Sequence, residues 1–171
     1  MNMSKNIEIK AHCNDFDFFS KKLSELPYRY EGLDVQMDTF YYTPSGRLKL
    51  RESSLYGTFL IPYVRSDQEG PKESDYALIE LKDPDKVKEL LALILGKRIV
   101  VKKKRQIYIY QNIRIHFDEV ENLGSFIELE AVIKNEDELD ANQTKVEQLT
   151  AFFGVKQEDL IAEAYADMLQ Q

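Results

Sequence analysis

Residues 114–130, R-I-H-F-D-E-V-E-N-L-G-S-F-I-E-L-E, alternate too strictly for a helix. In an extended chain Arg114, His116 and Asp118 fall on one side, and Ile113, Ile115 and Phe117 on the other. Asn122 and Gly124 supply a turn, after which Glu128 and Glu130 share one face and Ile127, Leu129 and Ala131 the opposite one. The stretch is a β-hairpin with one aliphatic and one charged face. A lone hairpin would turn those charges to water. Other strands of this chain repeat the pattern with charges of complementary sign, which offers another destination.

Working outward, the run 98–110 that leads into the hairpin reads as a strand, with Lys103 and Arg105 on one face and Lys102 and Lys104, a solvated pair, on the other. At the N-terminus residues 5–11 alternate, with Asn6, Glu8 and Lys10 opposite Ile7 and Ile9. Asn14 or Asp15 then caps a short helix whose Phe18, Phe19, Leu23 and Leu26 recur at helical spacing before Pro27. Residues 33–42 are rich in β-branched and aromatic types, and 44–46, P-S-G, turn the chain. Arg47, Lys49 and Arg51 follow on one strand face, with Leu48 and Leu50 on the other. Strands are expected at 58–65 and 75–82, and a helix at Asp85 to Leu95. From about Glu136 the tail reads as two helices broken near Gly154 to Gln157, with Leu160, Ile161, Ala164, Tyr165 and Leu169 on the apolar side of the last.

These elements predict an α+β fold: a closed or nearly closed antiparallel β-barrel or tunnel of about eight strands, with helices packed outside and a helical C-terminus. No linker or repeat divides residues 1–171, which read as a single domain. The chain is 43 % hydrophobic and 31 % charged, with 7 Gly and 5 Pro, an ordinary globular composition. A formal charge of −7 argues against general binding to nucleic-acid backbones or anionic membranes. One cysteine, Cys13, rules out an intramolecular disulfide and a cysteine-rich zinc site. No signal-peptide pattern or bilayer-length apolar run is seen, so a cytoplasmic location is expected.

If helices cover the aliphatic side of the curved sheet, the charged side lines the interior. Lys10, Arg47, Lys49, Arg51, Arg65, Lys103, Arg105 and Arg114 would then face Glu8, Asp118, Glu128 and Glu130 across it. So many cations in a wet interior call for a polyanion. The carboxylates beside them call for a hard divalent cation, because Mg²⁺ or Mn²⁺ takes oxygen ligands and keeps several waters. Together they describe a site for a metal-bound polyphosphate.

The residues also carry a resemblance. N-I-E-I-K at 6–10 looks like the E-x-E-x-K signature of the CYTH superfamily, the triphosphate tunnel metalloenzymes. Q-M-D-T-F-Y, G-R-L-K-L-R-E, L-I-P-Y-V-R, K-K-K-R-Q-I-Y, the 116–130 hairpin and E-A-Y-A-D-M-L agree with it in order, over nearly the whole chain. Within the superfamily the chain most resembles the class IV adenylyl cyclase-like branch. The resemblance implies a β-tunnel, a small-molecule triphosphate substrate and Mg²⁺ or Mn²⁺. It implies Glu8, Glu128 and Glu130 as metal ligands with Asp118 nearby, and Lys49, Arg51, Arg65, Lys103, Arg105 and Arg114 as phosphate ligands. It places Lys10 and Glu8 as catalytic residues. Arginine suits this work because its fork engages two phosphate oxygens and stays ionised. One position departs from the signature: Asn6 stands where the first Glu is expected, and its amide oxygen can coordinate an ion but brings no charge.

Three functions fit this constellation. They are an adenylyl cyclase making cyclic AMP and pyrophosphate from ATP, a metal-dependent triphosphatase, and a non-catalytic polyphosphate- or nucleotide-binding module. No nucleic-acid or membrane partner is expected, and a homodimer is a possible assembly. His116 has the right strand face but reads as a hydrogen-bonded wall residue, and Tyr63 and Tyr108 read as packing.

Overall fold

Alternating strands such as those at 5–11 and 113–130 must bury one aliphatic face, and the fold does this by turning it outward, under helices. A computed structural model describes residues 4–135 and 138–171. Its strands are β1 (Ser4–His12), β2 (Arg29–Tyr41), β3 (Arg47–Ser53), β4 (Gly57–Arg65), β5 (Lys72–Tyr76), β6 (Ile79–Glu80), β7 (Lys97–Tyr110), β8 (Ile113–Val120) and β9 (Gly124–Ile133). The helices are α1 (Phe16–Leu23), α2 (Pro84–Leu95), α3 (Leu139–Phe152) and the one-turn α4 (Tyr165–Met168). The sheet order is β3-β2-β7-β8-β9-β1-β5-β4-β6. Pairing of β3 with β4 joins its two sides, so eight antiparallel strands close into a barrel and β6 is left as an extra strand on β4.

The outer aliphatic residues make the main core. Ile7 and Ile9 of β1, Ile113 and Ile115 of β8 and Ile127 and Leu129 of β9 pack beneath Phe19 and Leu23 of α1 and Val146 and Leu149 of α3. Each such buried side chain contributes about 1.5–3 kcal/mol. A second cluster lies inside the barrel at one end, where Phe40, Val101 and Phe126 meet Ile161, Tyr165 and Ala166 of the tail. The C-terminal segment therefore closes that end. Asp15 caps α1, its side chain accepting from Phe18 N at 2.8 Å. Asn122 turns the β8–β9 hairpin at φ 66°, a left-handed conformation that asparagine tolerates better than most residues.

Two elements differ from the sequence reading. The strand expected at 75–82 is broken into β5 and β6. They pair with β4 through Tyr63–Arg65 and Phe59–Leu60 respectively, and the break falls opposite Pro62, which has no N–H to give the ladder. The tail's last helix is only one turn long. Leu160 bridges Ala11 of β1, Ile161 N donates to Lys10 O at 2.9 Å, and the buried Lys72 ammonium donates to Ile161 O and Ala162 O. Those contacts hold 160–164 out of a helix despite its apolar spacing. The chain breaks at Gly154, at φ 66°, within the expected range. Glu136, where the tail was expected to begin, lies outside the described residues.

Candidate functional site

The barrel encloses a cavity of about 500 Å³. The inward face of β1 brings Asn6, Glu8 and Lys10 to it, β3 brings Lys49 and Arg51, and β4 brings Arg65. Lys103 and Arg105 come from β7, Arg114 and His116 from β8, and Glu128 and Glu130 from β9. Of the residues singled out in the sequence for catalysis, phosphate or metal, all line the cavity except Asp118. Lys102 and Lys104 point outward and are exposed. Tyr108 packs on the outer core, and Tyr63 lines the cavity.

Asp118 is fully buried, below the lining. Arg105 donates to it twice, from Nε at 2.7 Å and Nη2 at 2.6 Å, and the Tyr165 hydroxyl adds a bond of 2.9 Å. Burial opposes its ionisation, but Arg105 and Lys103 overcome that and hold the carboxyl below its usual range. Its oxygens are committed to these partners. A second acid, Asp38 of β2, plays the same part toward Arg51 and Lys49. Arg51 binds both its oxygens at 2.7 Å and Lys49 one at 3.1 Å. Asp38 sits opposite Arg51 in the β2–β3 register, a relation that alternation within one strand does not reveal. Two buried carboxylates thus anchor part of the cationic lining and aim it at the cavity.

Glu8 is paired with Arg65. Lys10 donates to Glu163 O at 3.3 Å and lies 4.0 Å above the Tyr165 ring. Burial lowers its pKa, against the pull of Glu128. Tyr165 is the floor of the tunnel, with the Lys103 ammonium 5.2 Å from its ring. The role of Tyr165 is not legible in the sequence, where it reads as the apolar side of a helix. Burial, then Arg105 and Arg51, push Lys103 down to about 7; burial and Arg51 bring Lys49 to about 8.

An acidic group lies beside these cations, with Glu128 level with Lys10 and Glu130 one inward-facing pair nearer the mouth. Glu128 accepts from Arg105 Nη2 at 3.1 Å and meets His116 Nδ1 at 3.2 Å. Burial opposes its charge, yet Arg105 and His116 keep it well below the usual carboxylate range. Burial and Arg105 hold His116 below its ordinary value, which favours the neutral ring. Glu130 accepts from the Asn6 amide, and Arg114 lies 3.7 Å from it. His116, Glu128 and Glu130 can each offer a ligand atom within 4.8 Å of the others. Asn6 Oδ1 is buried and has no hydrogen-bond partner. Two carboxylates, an imidazole and an unpaired amide oxygen fit a divalent ion.

Beyond this group apolar and aromatic side chains join the lining, set among the charged Arg29, Glu31 and Arg114. Phe59, Ile107, Ile109 and Tyr76 line the opening, with Tyr56 and Leu78 exposed at its rim.

A closed eight-stranded tunnel with an inward cationic lining, an acidic group and one plugged end defines the class: a closed β-tunnel with a charged interior. A profile of the CYTH domain matches residues 4–165, and the chain belongs to the CYTH domain family. It is 22 % identical over 176 residues to a Methanocaldococcus jannaschii protein named "Putative adenylate cyclase", with 95 % of this chain and 97 % of that one covered. The PH1012 protein of Pyrococcus horikoshii OT3 superposes with a TM-score of 0.80 at 25 % identity, over 95 % of this chain and 98 % of that one. The Hippeastrum protein HpAC1, a "putative adenylyl cyclase" with a dominant triphosphatase activity, shares the fold at a TM-score of 0.62 and 14 % identity, over 98 % and 94 % of the two chains. No described helix is long and apolar enough to cross a membrane.

Proposed function

We propose that this tunnel binds a nucleoside triphosphate with a divalent metal and converts ATP to cyclic AMP and pyrophosphate. The observation that carries the reading is the set of apolar and aromatic side chains, Phe59, Ile107, Ile109 and Tyr56, that joins the charged lining toward the mouth. An inorganic triphosphate has no use for Phe59, Ile107, Ile109 and Tyr56, whereas a base can stack on them.

With the base at the mouth, the terminal phosphates reach inward to Lys10, Lys49, Arg65 and Lys103, above the Tyr165 floor. The α-phosphate then lies beside Glu130, one inward-facing pair nearer the mouth than Glu128. A metal ion held by those carboxylates would polarise a phosphoryl oxygen and offset its charge. The 3′-hydroxyl oxygen bonds to the α-phosphorus, the bond from that phosphorus to the bridging oxygen breaks, and the hydroxyl proton leaves through the open mouth. The charge of the departing pyrophosphate is met by Lys10, Lys103 and Arg65. Arg51 and Arg105, aimed by Asp38 and Asp118, steady the middle of the chain.

A triphosphatase is the second reading, favoured by the activity of the Hippeastrum relative. Incubation with ATP, inorganic triphosphate and thiamine triphosphate, each with Mg²⁺ and with Mn²⁺, separates the two. Cyclic AMP with pyrophosphate is expected; orthophosphate released from every substrate would overturn the cyclase reading in favour of hydrolysis. The mouth has its own test. Phe59→Ala should weaken ATP binding by about 1–2 kcal/mol, the worth of a base stacked on an aromatic ring, and leave inorganic triphosphate unaffected. Equal losses for both ligands, measured by calorimetry, would remove the base from the mouth.

A further inference from the structure

Resting on the reading that the tunnel takes a divalent ion, we propose that His116 is itself a ligand of that ion, and that its nitrogen makes the site select a first-row transition ion over Mg²⁺. His116 Nδ1 stands 3.2 Å from Glu128 Oε1. That is long for a charge-assisted N–H···O bond. It matches the spacing of about 3 Å between adjacent ligands of an octahedral ion with bonds near 2.1 Å. Nδ1 and Oε1 can share one proton at most, and an ion between them replaces it, the proton passing to solvent.

The second observation is independent of the acids. Asn6 is buried and its Oδ1 has no partner, while its Nδ2 donates to Glu130. A half-turn of the amide exchanges the two atoms and turns Oδ1 toward the Glu130 oxygen. A cation shared between the two oxygens, or a proton on Glu130, stabilises that arrangement. The site then offers an imidazole nitrogen, two carboxylates and a neutral amide oxygen. Arg105 gives two bonds to Asp118 and keeps one, at 3.1 Å, to Glu128 Oε1.

Such a donor set is poor for Mg²⁺, which demands near-ideal octahedral oxygen ligands and dehydrates reluctantly. An imidazole nitrogen favours first-row transition ions. The exchange of a carboxylate for Asn6 and the presence of His116 act in the same direction, lowering charge and adding a softer donor.

Mn²⁺ is the probe, on protein carrying no histidine tag. Pulsed electron-spin resonance of the Mn²⁺-loaded parent should show nitrogen-14 coupling from one directly bound imidazole. Calorimetry should give a Mn²⁺-to-Mg²⁺ affinity ratio that falls roughly tenfold in His116→Gln. Glu128→Gln tests the underlying metal reading and should abolish binding of both ions. Mn²⁺ that binds, is lost in Glu128→Gln, and shows no nitrogen coupling overturns the role of His116 while the metal reading stands. Mn²⁺ binding indifferent to Glu128→Gln overturns both. The parent spectrum decides the matter even if His116→Gln fails to fold.

Discussion

Arg105→Met is expected to cost about 3–5 kcal/mol of folding stability, because it removes the counter-ion that bonds both oxygens of a fully buried carboxylate and leaves only Lys103, at 3.9 Å. For a chain of this size that lowers Tm by roughly 6–20 °C. Asp118 is 0 % exposed and holds Arg105 by two short bonds, so neither charge has water to fall back on. The double variant Arg105→Met, Asp118→Leu should recover most of the loss, since an apolar pair of similar volume replaces a buried ion pair at little cost. Triphosphate binding should not recover with it. The sign of the pH dependence is a further check. Without Arg105 the folded-state pKa of Asp118 rises above its unfolded value. The deficit should then be small in acid and grow as pH rises through the carboxylate range. Denaturant titrations at pH 4.5 and 7 test this. A loss below 1 kcal/mol at pH 7 would show that Asp118 does not depend on Arg105.

Stabilities of this kind separate what the sequence displays from what it hides. The inward face of each long strand is legible because a period of two needs only the strand itself, and charged residues alternating with Ile and Leu leave one solution once helices cover the apolar side. The barrel follows from the same pattern repeated along the chain. Partners across the tunnel do not, because they depend on register. Asp38 meets Arg51 and Asp118 meets Arg105 as opposite neighbours in adjacent strands, and one residue of slip would undo either pair. The grouping of His116 with Glu128 has the same origin in the β8–β9 register, and Asp118, alike in sequence, lands one pair further in, beside Phe126. Tyr165 and Lys72 are hidden for another reason. The apolar spacing of the tail promises a helix, and only the backbone bonds to β1 and the Lys72 ammonium show that it is a plug. The break between β5 and β6 is hidden as well, because Pro62 sits inside an unbroken β4 and its missing N–H acts on a neighbour that only the register identifies.

Triphosphate binding should weaken steeply as pH rises from 7.5 to 9.5, well before free lysines titrate. Burial first, and then the neighbouring guanidinium groups, bring Lys103 to about 7 and Lys49 to about 8. The Lys103 ammonium is 3.9 Å from its nearest carboxylate oxygen, too far for a hydrogen bond, so Asp118 offsets that depression only in part. A bound triphosphate brings several negative charges beside both lysines and raises both values. The complex then keeps protons that the free protein has released, and binding takes protons up. Affinity is full where both lysines are already charged and falls above their free-state values, by up to about tenfold per pH unit for each group. Folding answers with the opposite sign. A lysine near 7 or 8 when folded and near 10.4 when unfolded binds more protons in the unfolded chain over that interval, so these two groups make the ligand-free protein more stable as pH rises. Calorimetry in two buffers of different ionisation enthalpy counts the protons taken up, and melts without ligand follow the folding side. Lys103→Arg, whose guanidinium stays charged throughout, should remove one proton from the count and flatten the profile. An affinity constant from pH 7.5 to 9.5, with no proton uptake, would mean that neither lysine touches the phosphates, and the inner half of the tunnel would lose its assignment.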